Sequence, residues 1–163
     1  MSDKFSIKQN SPLELGICVA DLDLMLRFYR DVLGFEYIST YEVPVDKSKP
    51  ASFSNSGYTI IRLQTPLGER IKLAAPVQRP SKRPRISEVL NRQGDVFITL
   101  IVEDLDLVVA RLRGTGAEIL THDSKLEVRD GCYLCNLADP EGNYIELVEY
   151  RDVSQYRSDL SSG

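Results

Sequence analysis

Glu14-Leu-Gly-Ile-Cys-Val-Ala-Asp-Leu-Asp-Leu24 and Phe97-Ile-Thr-Leu-Ile-Val-Glu-Asp-Leu-Asp-Leu107 decide the fold, because the second repeats the first. Val19, Asp21, Leu22, Asp23 and Leu24 recur as Val102, Asp104, Leu105, Asp106 and Leu107. A second pair lies downstream. Leu63-Gln-Thr-Pro-Leu-Gly-Glu-Arg-Ile-Lys-Leu73 aligns with Leu137-Ala-Asp-Pro-Glu-Gly-Asn-Tyr-Ile-Glu-Leu147. The same signals in the same order mark an internal duplication, so one half explains the other.

Working outward from the first stretch, Leu15, Ile17 and Val19 alternate with Glu14, Gly16 and Cys18, a period-two strand. Asp21 is placed to cap a helix whose apolar set is Leu22, Met25, Leu26, Tyr29 and Leu33, with Gly34 as its C-terminal stop. Phe35–Tyr41, Tyr58–Leu63 and Arg70–Ala75 read as strands, the last entered through the Thr65-Pro-Leu-Gly turn. The unit is strand–helix–strand–strand–strand. The second half repeats it with a strand at Val96–Val102, a helix at Asp104–Arg113, and strands near Glu118–Thr121, Gly131–Leu137 and Tyr144–Tyr150.

These units give five regions: an N-terminal extension (1–12), a first module (13–76), a linker (77–94), a second module (95–150) and a polar tail (151–163). The tail is expected to fray or to pack weakly on a partner. The linker holds Arg79, Pro80, Lys82, Arg83, Pro84 and Arg85 and reads as solvated, with phosphate binding the lesser alternative. Ile86–Arg92 has the makings of a short helical turn. Val43–Gly57, polar with two prolines, reads as a long loop suited to cover a site.

Composition excludes several classes. The 163 residues are 42% hydrophobic and 27% charged, a folded globular profile. A net charge of −4 argues against general nucleic-acid binding. No apolar run approaches the roughly 20 residues that span a bilayer, and Met1-Ser-Asp-Lys-Phe lacks a signal peptide's apolar stretch, so a cytoplasmic, reducing compartment is expected. Cys132 and Cys135 form a CxxC, but three residues apart on a strand they point to opposite faces and read as buried apolar thiols. The only histidine, His122, reads as an exposed turn residue, so no multi-histidine metal site can form within one chain.

The run from Val19-Ala-Asp-Leu-Asp through Phe28-Tyr-Arg-Asp-Val-Leu-Gly-Phe35, with Asp139-Pro-Glu-Gly-Asn-Tyr-Ile-Glu-Leu147, resembles the vicinal oxygen chelate superfamily. That superfamily includes glyoxalase I, bleomycin-resistance proteins, extradiol dioxygenases and methylmalonyl-CoA epimerase. The resemblance runs from about Leu13 to Tyr150. It implies an α+β fold of two βαβββ modules, whose curved mixed sheet encloses a cavity with the helices outside, in a homodimer.

Enzymes of the superfamily carry four metal ligands, usually His, Gln or Glu, near the start of each first strand and on each last strand. The matching positions here are Glu14, Lys72, Phe97 and Glu146. Strand alternation independently sets Glu14 and Lys72 opposite Leu15, Ile17, Val19, Ile71 and Leu73, and sets Phe97 and Glu146 opposite Ile98, Leu100, Val102, Ile145 and Leu147. An ammonium and a phenyl ring are not metal donors, so no metal or other cofactor is expected. Lys72 is expected to stand in for the metal's charge between Glu14 and Glu146. Phe97 is either ordinary core or a stacking wall for a flat ligand.

The resulting expectation is a protein that binds a small organic molecule in its cavity without a metal. Glu14, Lys72 and Glu146 are its candidate catalytic groups, and Phe97, Arg70, Tyr133 and Tyr144 its candidate ligand contacts; Tyr58 and Arg62 are further possible lining residues. The alternative is a metal-free isomerase or epimerase working through a Glu/Lys/Glu proton-transfer set. A metal-dependent lyase or dioxygenase comes third.

Overall fold

The computed structural model describes residues 7–84 and 88–160. Arg85 and Ile86, part of the expected basic linker and helical turn, lie outside the described residues. The chain forms two compact units that divide between Pro80 and Ser81.

In the first unit β1 (Glu14–Cys18) leads into α1 (Leu22–Arg27), followed by β2 (Glu36–Val43), β3 (Tyr58–Gln64) and β4 (Arg70–Pro76). The sheet order is β1-β4-β3-β2. β1 and β4 are parallel, with Leu15 opposite Ile71 and Ile17 opposite Leu73, while β3 runs antiparallel to both its neighbours. The first and last strands of the unit therefore meet side by side, which a local hairpin cannot achieve and the helical crossover makes possible.

The second unit holds β5 (Phe97–Ile101), β6 (Glu118–Ile119), β7 (Leu126–Arg129), β8 (Cys132–Ala138) and β9 (Tyr144–Tyr150). Between β5 and β6 lies α3 (Leu105–Leu112); α2 (Val45–Ser48) belongs to the first unit and α4 (Val153–Tyr156) follows β9. β5 is parallel to β9, β9 antiparallel to β8, and β6 and β7 both pair with β8. The expected α+β class and repeated βαβββ order are both present. Among the described residues no helix is long and apolar enough to cross a membrane.

Alternation builds the core. Ile17, Val19, Ile61, Leu63, Ile71 and Leu73 are buried on the helix side of the first sheet, and Cys135, Leu137, Ile145 and Leu147 on that of the second. Each such side chain contributes roughly 2 kcal/mol of transfer free energy. Asp21 caps its helix as expected, accepting from Leu24 N at 2.9 Å, and Asp104, expected within its helix, caps it likewise by accepting from Leu107 N at 2.9 Å.

Several elements depart from the sequence expectation. α1 does not stay α-helical to Gly34: Phe28–Val32 forms a π-helical turn, in which Leu33 N–H reaches Phe28 O at 3.1 Å. The wider turn rotates the buried stripe, so that Phe28 joins Tyr29 and Met25 in the core while Leu26 and Leu33 are only partly covered. Residues 43–57 are not a plain loop: α2 buries Ser48, whose hydroxyl donates to Ser54 O, and Phe53 stacks on Tyr58. β7 has no counterpart among the expected strands; its four residues are all exposed and lack the period-two burial that marks a strand.

The described part of the tail includes α4, with Tyr156 stacked 4.3 Å from Tyr150. Among the described residues of the linker, Val89–Asn91 form a short 3-10 turn. Arg83 and Arg92 are not simply solvated, since both pair with the buried Asp95 carboxylate at 3.1 and 2.9 Å.

Asp139, buried at the Asp-Pro-Glu-Gly turn, accepts from Glu141 N, Asn143 N and Asn143 Nδ2. Asp139→Ala strands these donors and is expected to cost about 2 kcal/mol, against about 1 kcal/mol for the exposed cap variant Asp104→Ala. Chemical denaturation of the two variants checks the order; a larger loss for Asp104→Ala would contradict it.

Candidate functional site

Each sheet has one face covered by its helix and one face turned away from it. In the first unit the register places Glu14 opposite Arg70, Arg62 opposite Lys72, and Gln64 opposite Arg70, all on the helix-free face. Ser39 and Tyr41 of β2 lie on that face too.

One carboxylate stands at its centre. Glu14 lies 3.5 Å from Lys72 Nζ, 3.7 Å from an Arg70 guanidinium nitrogen and 3.8 Å from Arg62 Nε. These four side chains are between 26% and 39% exposed, so their charges are partly screened by solvent yet still interact strongly. Three cations against one carboxylate leave a formal surplus of +2.

Neutral groups hold the two arginines in place. Arg70 Nε donates to Gln64 Oε1 at 2.6 Å, and the Arg62 guanidinium lies 4.5 Å from the centre of the Tyr41 ring. Arg62 Nε is buried and, among the described residues, has no hydrogen-bond acceptor.

In the second unit Phe97 stands opposite Tyr144, and Thr99 opposite Glu146, on the helix-free face. Thr99 Oγ1 donates to Glu146 Oε2 at 2.6 Å, the partner that a carboxylate on an apolar strand needs. Phe97 is 41% exposed, which removes the core alternative for it. Tyr144 is only 5% exposed, with the Arg83 guanidinium 5.5 Å from its ring centre.

Tyr133 is a correction. It pairs with Glu149, not with Glu146, so it lies on the helix side of its sheet. There its ring meets Lys125 Nζ at 4.9 Å and its hydroxyl accepts from Arg151 at 3.3 Å. Glu149 on the same side accepts from Leu105 N at the start of α3 and from Lys125, a structural tie that raises the Lys125 pKa above its ordinary value. Tyr133 thus lies on the opposite face of the second sheet from Glu146.

Cys132 and Cys135 are both buried, on opposite faces of β8, and burial pushes the Cys135 thiol up, away from reactivity. His122 is exposed beside Asp123.

The sequence marks Arg62 as a possible lining residue but not as a partner of Glu14. Its place beside Glu14 follows from the pairing of β3 with β4, a contact between strands that local alternation does not encode.

Residues 12–147 match the Glyoxalase/Bleomycin resistance protein/Dioxygenase superfamily, and the chain belongs to it. Solved structures show the same fold. A glyoxalase family protein from Bacillus cereus is 24% identical with a TM-score of 0.75, over 92% of this chain and 98% of that one. The trypanothione-dependent glyoxalase I of Leishmania major is 24% identical with a TM-score of 0.65, over 94% and 95%. A glyoxalase I mutant from Zea mays is 18% identical with a TM-score of 0.65, covering 87% of this chain and 46% of that one. No curated protein sequence matches significantly.

The donor set does not fit the divalent metal that such a fold suggests. Of the four matched positions, Lys72 supplies a positive charge and Phe97 no lone pair. Glu14 already faces three cations, and an incoming divalent ion would meet their repulsion before reaching its oxygens. Among the described residues no three His, Cys, Asp or Glu side chains gather as metal ligands.

Glu14→Gln leaves three cations facing one another and is expected to lower stability by about 1 kcal/mol in dilute buffer. The loss should shrink in 1 M salt, where the screening length falls to about 3 Å. Denaturation at both salt concentrations checks this; a salt-independent loss would point to packing instead.

Proposed function

We propose that this chain binds a small organic molecule without a metal, on the helix-free face of the first sheet. The observation that carries the proposal is the Glu14-centred cluster. At two of the positions where the superfamily resemblance puts metal ligands, this chain has a carboxylate and an ammonium 3.5 Å apart, with two arginines beside them. Fixed cationic side chains supply the positive charge that an ion would otherwise bring. Tyr41, Ile60 and Tyr58 on the same face add the apolar surface that small-molecule sites combine with a few polar anchors.

A second function rests on the same pair. Glu14 is a base beside a cation able to stabilise an enolate oxygen, which suits proton transfer next to a carbonyl. It differs from simple binding in one observable, exchange of a substrate's α-proton for deuterium in D2O. Lys72→Met is expected to abolish such exchange, and full exchange in that variant would remove Lys72 from the chemistry.

A thermal-shift screen of small organic molecules, run with and without EDTA, tests metal-free binding. The stabilisation is expected to be the same in both, and about 2.7 kcal/mol when the ligand is present at 100 times its Kd. Stabilisation that disappears with EDTA and returns with one divalent ion per chain would overturn the proposal.

A further inference from the structure

The three cations around Glu14 are unusual in how little of their hydrogen-bonding capacity that carboxylate uses. Charge-assisted N–H···O bonds are about 2.7–2.9 Å long, whereas the Glu14 contacts are 3.5, 3.7 and 3.8 Å. They are ion pairs at a distance, and they leave donors unspent. Arg62 Nε is buried and finds no acceptor among the described residues, which is costly unless something else accepts from it.

The groups that orient the arginines are uncharged. Gln64 fixes Arg70 and the Tyr41 ring fixes Arg62, so neither contact cancels a charge. A sheet face that only needed ion pairs would match each arginine with its own carboxylate. Here three cations share one, and two are pre-oriented as forks, the geometry suited to an oxyanion.

We propose that this face is an oxyanion site, in which Arg62, Arg70 and Lys72 bind a carboxylate or phosphate group of the ligand and Glu14 is the resident counter-ion that this group competes with. The inference rests on the binding function proposed above and assigns the ligand a chemical class, an organic anion. Gln64 and Tyr41 are positioning residues. Glu14 keeps the cluster from flying apart when empty and, by the same charge, weakens the site for anions. Removing that charge therefore strengthens anion binding, the opposite of what loss of a ligand-binding residue does.

Benzoate and benzamide have the same ring and differ in charge, and inorganic phosphate supplies an oxyanion without the ring. Each is titrated into the full chain in EDTA, at low and high salt, while the Arg62 and Arg70 Nε–Hε signals are followed by NMR. Benzoate, phosphate or both should shift these signals saturably, and benzoate should bind at least about five-fold more tightly than benzamide. The preferred anion should weaken in high salt.

Arg62→Gln and Arg70→Gln should each lower its affinity about ten-fold. Glu14→Gln should raise it about five-fold, an effect that misfolding cannot imitate. Whichever of benzoate and phosphate binds more tightly decides between carboxylate and phosphate. Equal binding of benzamide at the same signals overturns the anionic class but leaves metal-free binding standing. Anion binding that needs an added divalent ion overturns both. Arginine signals unmoved by any anion, or unchanged affinity in Glu14→Gln, overturns the oxyanion site.

Discussion

The parallel pairing of the first and last strands in each unit is the constraint on which the rest depends. It sets Leu15 beside Ile71 and Ile17 beside Leu73, and Ile98 beside Ile145 and Leu100 beside Leu147. Because side chains alternate with a period of two, fixing these pairs under a helix fixes every other residue to the opposite face. Glu14, Arg70 and Lys72 reach one face together for that reason alone. A slip of one residue would bury the charges and expose the core, an error costing far more than a domain's net stability.

The duplicated plan has been used differently in the two halves. The first unit carries a charged face, with one carboxylate among three cations; the second carries Phe97, Tyr144 and a Glu146 satisfied by a threonine hydroxyl. The paired positions that the superfamily resemblance assigns to metal ligands have thus diverged into a cationic cluster and an aromatic-polar patch. Membership of the superfamily establishes the fold of this chain, whereas its chemistry follows from side chains that relatives of 24% identity or less do not define.

Much of this was legible in the sequence, and the rest was not for definite physical reasons. The Asp21 cap, the alternation of β1 and β9 and the opposed faces of Cys132 and Cys135 are local, encoded within a few residues. The π-helical turn at Phe28–Val32 hides behind an ordinary helical pattern, because one widened turn changes which face is buried without changing the residue types. Arg62 and Tyr133 depend on strand pairing at long range. The first is brought to Lys72 by β3 meeting β4, and the second is turned towards α3 by its pairing with Glu149. Arg83 and Arg92 looked solvated because their partner, Asp95, lies just past the linker at the start of the second module, so the linker's composition shows the charge but not the pairing.

The central claim is that side-chain cations have taken over the charge of a metal in this chain. Calorimetric titration of Zn2+ into the purified protein tests it most directly. The account predicts no saturable uptake of one ion per chain that depends on the matched carboxylates. A one-to-one site lost in Glu14→Gln would contradict it.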